Sequence, residues 1–239
     1  MIEQSLVEVG EELRDYAMSL GAEIYGVASA ALYNEHFPGK PQPERFIPGA
    51  KSVIVVGMAF NKGTLATVVN PNAAGLKRKA ADDVTNAGQI AGVERYFSGE
   101  ENGILDRELN LIAYRIARKL EQKGNMAIHM PTAKQDNRWF TAPFYHLPAA
   151  YLAGLGTMGL NCCLINPDYG PRLWMTSIIT DKELPTGEPL EEEVCTKCGD
   201  CVAVCPSNAL DGEGWKNVSR CATYGCCGSC LAICPIGDR

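Results

Sequence analysis

At 239 residues, with 21% charged and 46% hydrophobic side chains, the chain can hold one sizeable domain and a small one, and its composition is that of a soluble globular protein. A formal net charge of −6 argues against nucleic acid or an anionic membrane as a partner, and no apolar run reaches the ~18 residues that span a bilayer. The N-terminus shows neither the basic start and apolar core of a secretory signal nor a twin arginine, so a cytoplasmic setting is expected.

Ile2, Leu6, Val9, Leu13, Ala17 and Leu20 recur at helical spacing and predict a first helix that Gly21 ends. Glu23–Ala28 reads as a short strand. Residues 34–50 hold four prolines and two glycines and read as a loop. Ser52–Phe60 is apolar and β-branched, which predicts a buried central strand. Residues 61–75 read as polar loop, and the run Lys77–Lys79 as a solvated patch. Leu105–Lys123 is the clearest helix, with Leu109, Ile112, Ile116 and Leu120 on one stripe and Gly124 as its stop. Asn125–Met130 and Leu173–Thr180 predict further strands, and Pro148–Leu152 looks helical. Helices and strands alternate, so residues 1–183 are expected to form a layered α/β or α+β domain. Pro185 and the acidic run Glu191–Glu193 mark a linker. Residues 184–239 are too short and too poor in apolar side chains to bury a core, so a metal must supply their structure.

Nine of the eleven cysteines fall in the last 45 residues. Cys195, Cys198, Cys201 and Cys205 follow a C-x-x-C-x-x-C-x-x-x-C pattern ahead of Pro206, and Cys221, Cys227, Cys230 and Cys234 form a looser set ahead of Pro235. Three closely spaced thiolates wrap one iron–sulfur cube, and the cysteine before the proline belongs to a second cube. The expected pairing puts Cys195, Cys198, Cys201 and Cys234 on one [4Fe–4S] cluster. Cys205, Cys221, Cys227 and Cys230 hold the other. Structural zinc sites space two C-x-x-C pairs further apart, and disulfides need an oxidising compartment. Cys226 is the spare beside Cys227 and an alternative ligand to it. Low-potential clusters point to an anaerobic setting.

Residues 148–173 hold four glycines, which implies close backbone approach to something flat or bulky. Gly154, Gly156 and Gly159 match G-x-G-x-x-G, but a helix-like stretch precedes them where a dinucleotide site needs a strand. The alternative is a tight turn that binds nothing. The segment Ala153–Asn161 (AGLGTMGLN), then Leu164–Arg172 (LINPDYGPR), Ile178–Asp181 (IITD) and the double cysteine motif resemble the epoxyqueuosine reductase and reductive dehalogenase superfamily. Ile47–Gly57 is similar to the strand that opens its core. The resemblance implies a nitroreductase-like three-layer domain over residues 1–183 that holds base-off cobalamin. A ferredoxin-like domain over residues 184–239 delivers electrons to the cobalt. By the same resemblance Gly154, Gly156, Gly159, Asn161, Asn166, Tyr169 and Gly170 lie against the corrin ring or its tail. Two departures stand out. Epoxyqueuosine reductases carry an aspartate proton donor where this chain has Phe140, and their helical-repeat extension for transfer RNA is not met before Arg239. The chain resembles the short cytoplasmic members of the superfamily.

A corrinoid reductase needs a proton as well as electrons, and His146 and Tyr145 are the candidate acids near the glycine segment, because an imidazole titrates near neutral pH. Arg138, Arg95 and Tyr96 are weaker candidates for substrate contact. Cys162 and Cys163 point to opposite sides if their segment is extended, and buried cysteines are usually inert. The functional expectation is a cobalamin-dependent reductase that passes electrons from an external donor such as ferredoxin or flavodoxin to a small-molecule substrate. The alternative is an electron carrier that reduces a corrinoid protein or flavoprotein partner. Phe140 favours the carrier; the large domain ahead of the cysteines favours the reductase. A flavin in that domain is a third possibility.

Overall fold

The structure, a computed structural model, describes residues 2–68, 84–132, 142–223 and 226–237. Phe140, Arg138 and the run Lys77–Lys79 lie outside these residues, as do the side chains of Arg95 and Tyr96. The chain forms two compact units, neither a single stretch. The first comprises Met1–Ala59, Leu105–Thr157 and Leu173–Glu193; the second comprises Phe60–Ile104, Met158–Arg172 and Val194–Arg239. The linear division at residues 183 and 184 therefore differs from the folded one, because Met158–Arg172 packs with the cysteine-rich segment.

The first unit is built on β1 (Ile24–Ser29), β2 (Ser52–Ala59), β3 (Ala127–His129) and β6 (Leu173–Thr180), in the order β1-β2-β6-β3 and antiparallel throughout. β2 is buried from Ser52 to Gly57, so it is covered on both faces, as its unbroken apolar run requires. Ile54 and Val56 of β2 and Ile178 of β6 share a face. There they meet Leu13 and Ala17 of α1 (Ile2–Ser19) and Leu109, Ile112, Ile116 and Leu120 of α4 (Val84–Gln122) in one core. α5 (His146–Leu152) packs on β1, β2 and β6 from the other side, and α2 (Ala30–His36) packs on β1 and α5. The result is the expected layered fold, helix on sheet on helix. Gly21 and Gly124 end α1 and α4 as the sequence indicates. In each case the glycine N–H and the N–H after it reach back to close the last turn (Gly21 to Met18, Ala22 to Ala17; Gly124 to Glu121, Asn125 to Leu120).

Two helices reach into stretches read as loop, α2 by its last three residues. α2 starts where the Ser29 hydroxyl accepts the Leu32 N–H at 3.4 Å, a cap that outweighs the proline-rich sequence just beyond it. α3 (Lys62–Val68) fills part of residues 61–75. α4 begins at Val84, well before Leu105, because Gly88, Gly92, Gly99 and Gly103 dilute the helical stripe in its first half. No described helix is long and apolar enough to cross a membrane.

Ile178 is 0% exposed and sits at the centre of the core. Ile178→Ala is expected to cost about 2–5 kcal/mol in denaturant unfolding followed by circular dichroism. A loss below about 1 kcal/mol would show that the sheet and the α1/α4 layer do not depend on this packing.

Candidate metal centre

Within the second unit the cysteine-rich segment folds as a repeat. Gly199 (φ 85°) precedes the one-turn helix α6 (Asp200–Ala203), and Gly228 (φ 75°) precedes the one-turn helix α8 (Ser229–Ala232). Between them lies α7 (Val218–Thr223). The residue two before each glycine is also left-handed: Lys197 at φ 56° and Cys226 at φ 50°. The repeat thus equates Cys198 with Cys227, Cys201 with Cys230 and Cys205 with Cys234, and it puts Cys226 opposite a lysine.

Cys195, Cys198, Cys201 and Cys234 line one small cavity of about 20 Å³. Leu160, Asn161, Ile165, Pro235 and Ile236 form the rest of its wall, so the cavity is mainly apolar. Among the described residues no three His, Cys, Asp or Glu side chains close on a point that could hold a single ion. Four cysteines gathered on one mainly apolar cavity are the donor set of a [4Fe–4S] cube. In the other set, Cys221 forms a sulfur hydrogen bond with Cys226 and lies near Cys230. Cys227 Sγ is 3.3 Å from Ser229 Oγ. Burial pushes the Cys230 thiol up to about 12, with the nearby Cys163 adding to it. Cys205 Sγ accepts the Ala209 N–H at 3.3 Å. Burial alone would raise the Cys205 pKa, but that N–H and the Ser207 hydroxyl outweigh it and lower it.

The glycine segment serves the chain's own packing. Gly154 is left-handed (φ 72°) and closes α5, its N–H donating to the Tyr151 carbonyl while Leu155 N–H donates to Ala150. A Cβ there would lie 2.4 Å from the Glu188 carbonyl oxygen. Gly156 leads into β4 (Thr157–Met158), which pairs with β5 (Leu164–Ile165), and Gly159 abuts the Ile165 side chain. Asn161 is buried; its Oδ1 accepts the Cys163 N–H at 3.1 Å and its Nδ2 donates to the Cys230 carbonyl at 3.4 Å. Asn166 Oδ1 accepts the N–H groups of Asp168 and Tyr169, both at 3.0 Å, and Gly170 pairs back to Asn166. At Gly170 (φ 59°) a Cβ would lie 1.9 Å from the Ile236 carbonyl oxygen, two residues past Cys234. The close approach that the glycines signal is therefore made by Glu188 and Ile236, and the turn at residues 166–170 positions the segment that follows Cys234.

Cys162 and Cys163 occupy the turn of the β4–β5 hairpin and not an extended segment. Cys162 is left-handed (φ 62°) and its thiol donates to the Gly214 carbonyl at 2.8 Å. Cys163 Sγ lies 3.7 Å from the Asn161 carbonyl oxygen. Burial raises the pKa of both, which keeps them as thiols.

His146 opens α5 with both ring nitrogens engaged. Nε2–H donates to the Pro131 carbonyl at 3.2 Å, so Nδ1 accepts from the Ser177 hydroxyl at 2.9 Å. Burial pushes its pKa down to about 4, against hydrogen bonds to Pro131 and Thr132 that favour the charged form. A neutral imidazole with no free nitrogen braces α5 against β6 and does not fit the role of proton donor. Tyr145 lies on the rim of an open groove with Lys40, Gln42, Arg45 and Phe46, and Lys40 Nζ sits 4.5 Å from its ring centroid. Sequence reading missed Asp106, which accepts from Trp174 Nε1 at 2.6 Å and Thr132 Oγ1 at 2.5 Å. It also missed the stacked pair Tyr33–Phe144, with ring centroids 5.0 Å apart, beneath Tyr145.

Two outcomes follow. The unfolded chain takes up a proton at His146 below about pH 6.5, while the folded chain refuses it until about pH 4. Stability contributed by the neutral ring is thus complete at pH 7 and is lost as the pH falls through that window. From pH 7.5 to pH 5, His146→Gln should lose about 2 kcal/mol less than the parent chain in denaturant unfolding; equal losses would show that the histidine is not held neutral. Gly170→Ala should displace the segment after Cys234 and lower the iron retained after anaerobic reconstitution, while Gly63→Ala, with open space around its Cβ, should not. Equal iron contents would remove the role given to the 166–170 turn.

Residues 189–211 match the family described as 4Fe-4S binding domain. Over 239 residues the chain is 24% identical to the epoxyqueuosine reductase of Vibrio cholerae, a match that takes in 91% of this chain and 58% of that protein. It spans less than two-thirds of the length of this and similar curated relatives. Among solved structures, an epoxyqueuosine reductase with an epoxyqueuosine-modified tRNA stem loop superposes with a TM-score of 0.63 at 19% identity, covering 95% of this chain and 65% of that one. A reductive dehalogenase structure, described as suggesting a mechanism for B12-dependent dehalogenation, superposes with a TM-score of 0.58 at 19% identity, covering 92% and 29%. One of these neighbours is solved with a tRNA stem loop, which conflicts with the exclusion of nucleic acid drawn from net charge. That charge is a sum over the whole surface and says nothing of local grooves, such as the basic one lined by Arg115, Arg118, Lys119 and Lys123 in the first unit. With the 4Fe–4S match inside its cysteine segment and the shared fold over nearly its full length, the chain resembles the epoxyqueuosine reductase and reductive dehalogenase superfamily.

Proposed function

We propose that this protein is an iron–sulfur reductase with two [4Fe–4S] clusters. One sits on Cys195, Cys198, Cys201 and Cys234, and the other on Cys205, Cys221, Cys227 and Cys230. The observation that carries the reading is the single cavity lined by four thiols, three from the first motif and the fourth from the end of the second. The backbone repeat supports Cys227 as ligand over Cys226, because Cys226 stands where the first motif has Lys197. Electrons enter from a small carrier of the ferredoxin or flavodoxin class. Leu160, Ile165, Pro235 and Ile236 keep water from the first cluster, and Asn161 fixes the backbone at Cys230 and Cys163.

The finer reading makes the electron acceptor a cobalamin and the final substrate a small molecule. It is supported by the resemblance and by the B12-dependent dehalogenase neighbour. A bound corrinoid would supply a low-valent metal able to reduce an electrophile. Gly154, Gly159, Asn161, Asn166 and Gly170 give it no support of their own, since each is occupied within the chain. The epoxyqueuosine carried by tRNA is the substrate named for the relatives, and Phe140 in place of the expected aspartate speaks against carrying it over. His146, with both nitrogens engaged, favours a second reading, an electron carrier that reduces a corrinoid protein or flavoprotein.

Anaerobic reconstitution followed by iron analysis and EPR tests the core of the proposal, with about eight irons expected per chain. Cys201→Ser and Cys234→Ser should abolish the same EPR signal and each leave about four irons, while Cys226→Ser keeps all of them. Loss of different signals from Cys201→Ser and Cys234→Ser would refute the pairing. Co-elution of hydroxocobalamin on gel filtration separates the reductase from the carrier, and bound flavin in the same fractions would point to neither.

A further inference from the structure

Lys216 is placed by backbone geometry in the loop between the two cysteine motifs. It pairs with Leu210 in an antiparallel bridge that closes a turn held by Asp211, whose Oδ1 accepts the N–H of Glu213 at 2.7 Å and of Trp215 at 3.0 Å. The Cys162 thiol fastens this turn to the β4–β5 hairpin through Gly214. The side chain is half-buried. The next residue, Asn217, donates its N–H to the Ala209 carbonyl at 2.8 Å and accepts the Cys221 N–H at 3.1 Å, while the Ala209 N–H reaches Cys205 Sγ at 3.3 Å, so Lys216 stands beside two cysteines of the second set. Burial works against its charge, and the thiols of Cys163, Cys221, Cys162 and Cys230 work for it. Among the described residues no carboxylate forms an ion pair with it.

A partly buried ammonium loses hydration, and without an anion nearby that loss is uncompensated. Cys221 and Cys230 belong to the second ligand set. Four thiolates around a [4Fe–4S] core give a net negative charge, which grows by one when the cluster accepts an electron. Net charge and local electrostatics are what set such potentials. We propose that Lys216 is the counter-ion of the cluster held by Cys205, Cys221, Cys227 and Cys230, and that it raises the reduction potential of that cluster. It acts by position: it binds no iron, and the step it favours is the uptake of one electron from the external carrier, with no proton transferred. The inference rests on the two-cluster reading above.

An EPR-monitored redox titration of the reconstituted chain tests it, with Lys216→Met, Lys216→Arg and Lys51→Met as variants. Lys51 is an exposed lysine of the first unit paired with Glu183, so its removal controls for net charge. Lys216→Met should lower one of the two midpoints so that the reduced-to-oxidised ratio at fixed potential falls about tenfold, equivalent to about 59 mV for one electron. Lys216→Arg should stay near the parent value, and Lys51→Met should change nothing. Failure of Lys216→Met alone to hold its second cluster, with Lys216→Arg fully loaded, would equally show that the charge is what the cluster needs. Unmoved midpoints in a fully loaded Lys216→Met, an equal shift in Lys51→Met, or loss of iron in the methionine and arginine variants alike would overturn the assignment. A parent chain that holds fewer than two clusters would instead overturn the two-cluster reading itself.

Discussion

Four thiols that face one cavity, three from Cys195–Cys201 and one from Cys234, are the constraint on which the second unit depends. Among its described residues the cysteine-rich segment brings three helices of at most six residues. Few of its apolar side chains are fully buried, Ala209 and Leu210 among them. Hydrophobic burial on that scale cannot offset the chain entropy of ordering it. On the proposed pairing, metal–thiolate bonds that close a loop from Cys201 to Cys234 would supply what the core lacks. The 166–170 turn, pressed on Ile236, gives the last cysteine a fixed wall to stand against.

The first unit needs no such help. Its sheet is covered on both faces, and its polar side chains are largely spent on holding it together. Ser177 and Pro131 use both nitrogens of His146, Asp106 ties Trp174 to Thr132, and the Thr176 hydroxyl donates to the Met130 carbonyl. Groups that look like acid–base machinery in the sequence are braces in the fold. A histidine held neutral well below its ordinary pKa is useful to a scaffold because it keeps a charge out of the interior over the whole working range of pH.

Much of this was legible in the sequence where one residue type has one physical use. β6 was read to the residue, because an eight-residue β-branched and apolar run has few other fates. Gly21 and Gly124 marked helix ends for the same reason. The cysteine spacing pointed to clusters because three thiols two residues apart suit little else. Glycine at 154 and 170 was harder. Its presence says that something comes close, and the sequence does not say what, since Glu188 and Ile236 lie 34 and 66 positions further on. Helix α4 was half missed because glycines in its first turns carry no stripe. Lys216 was invisible, as a single lysine in a polar loop has no periodicity. Its meaning comes from Cys163, Cys221 and Cys230, which only folding brings to it.

The two cysteine motifs repeat in backbone and differ in surroundings. The first set looks into a wall of Leu160, Ile165, Pro235 and Ile236, and the second has Lys216 in the loop beside Cys205 and Cys221. Low polarity around a cluster disfavours the extra negative charge of reduction, and a nearby cation favours it. On the proposed pairing an electron would therefore rest more easily on the second cluster than on the first, and passing it on to the first would be the uphill step. Such an ordering suits a protein that must accept electrons readily from a carrier and release them only when an acceptor draws them off. The duplicated backbone supplies two cages, and the residues between the cages, with Lys216 foremost, give the pair a direction.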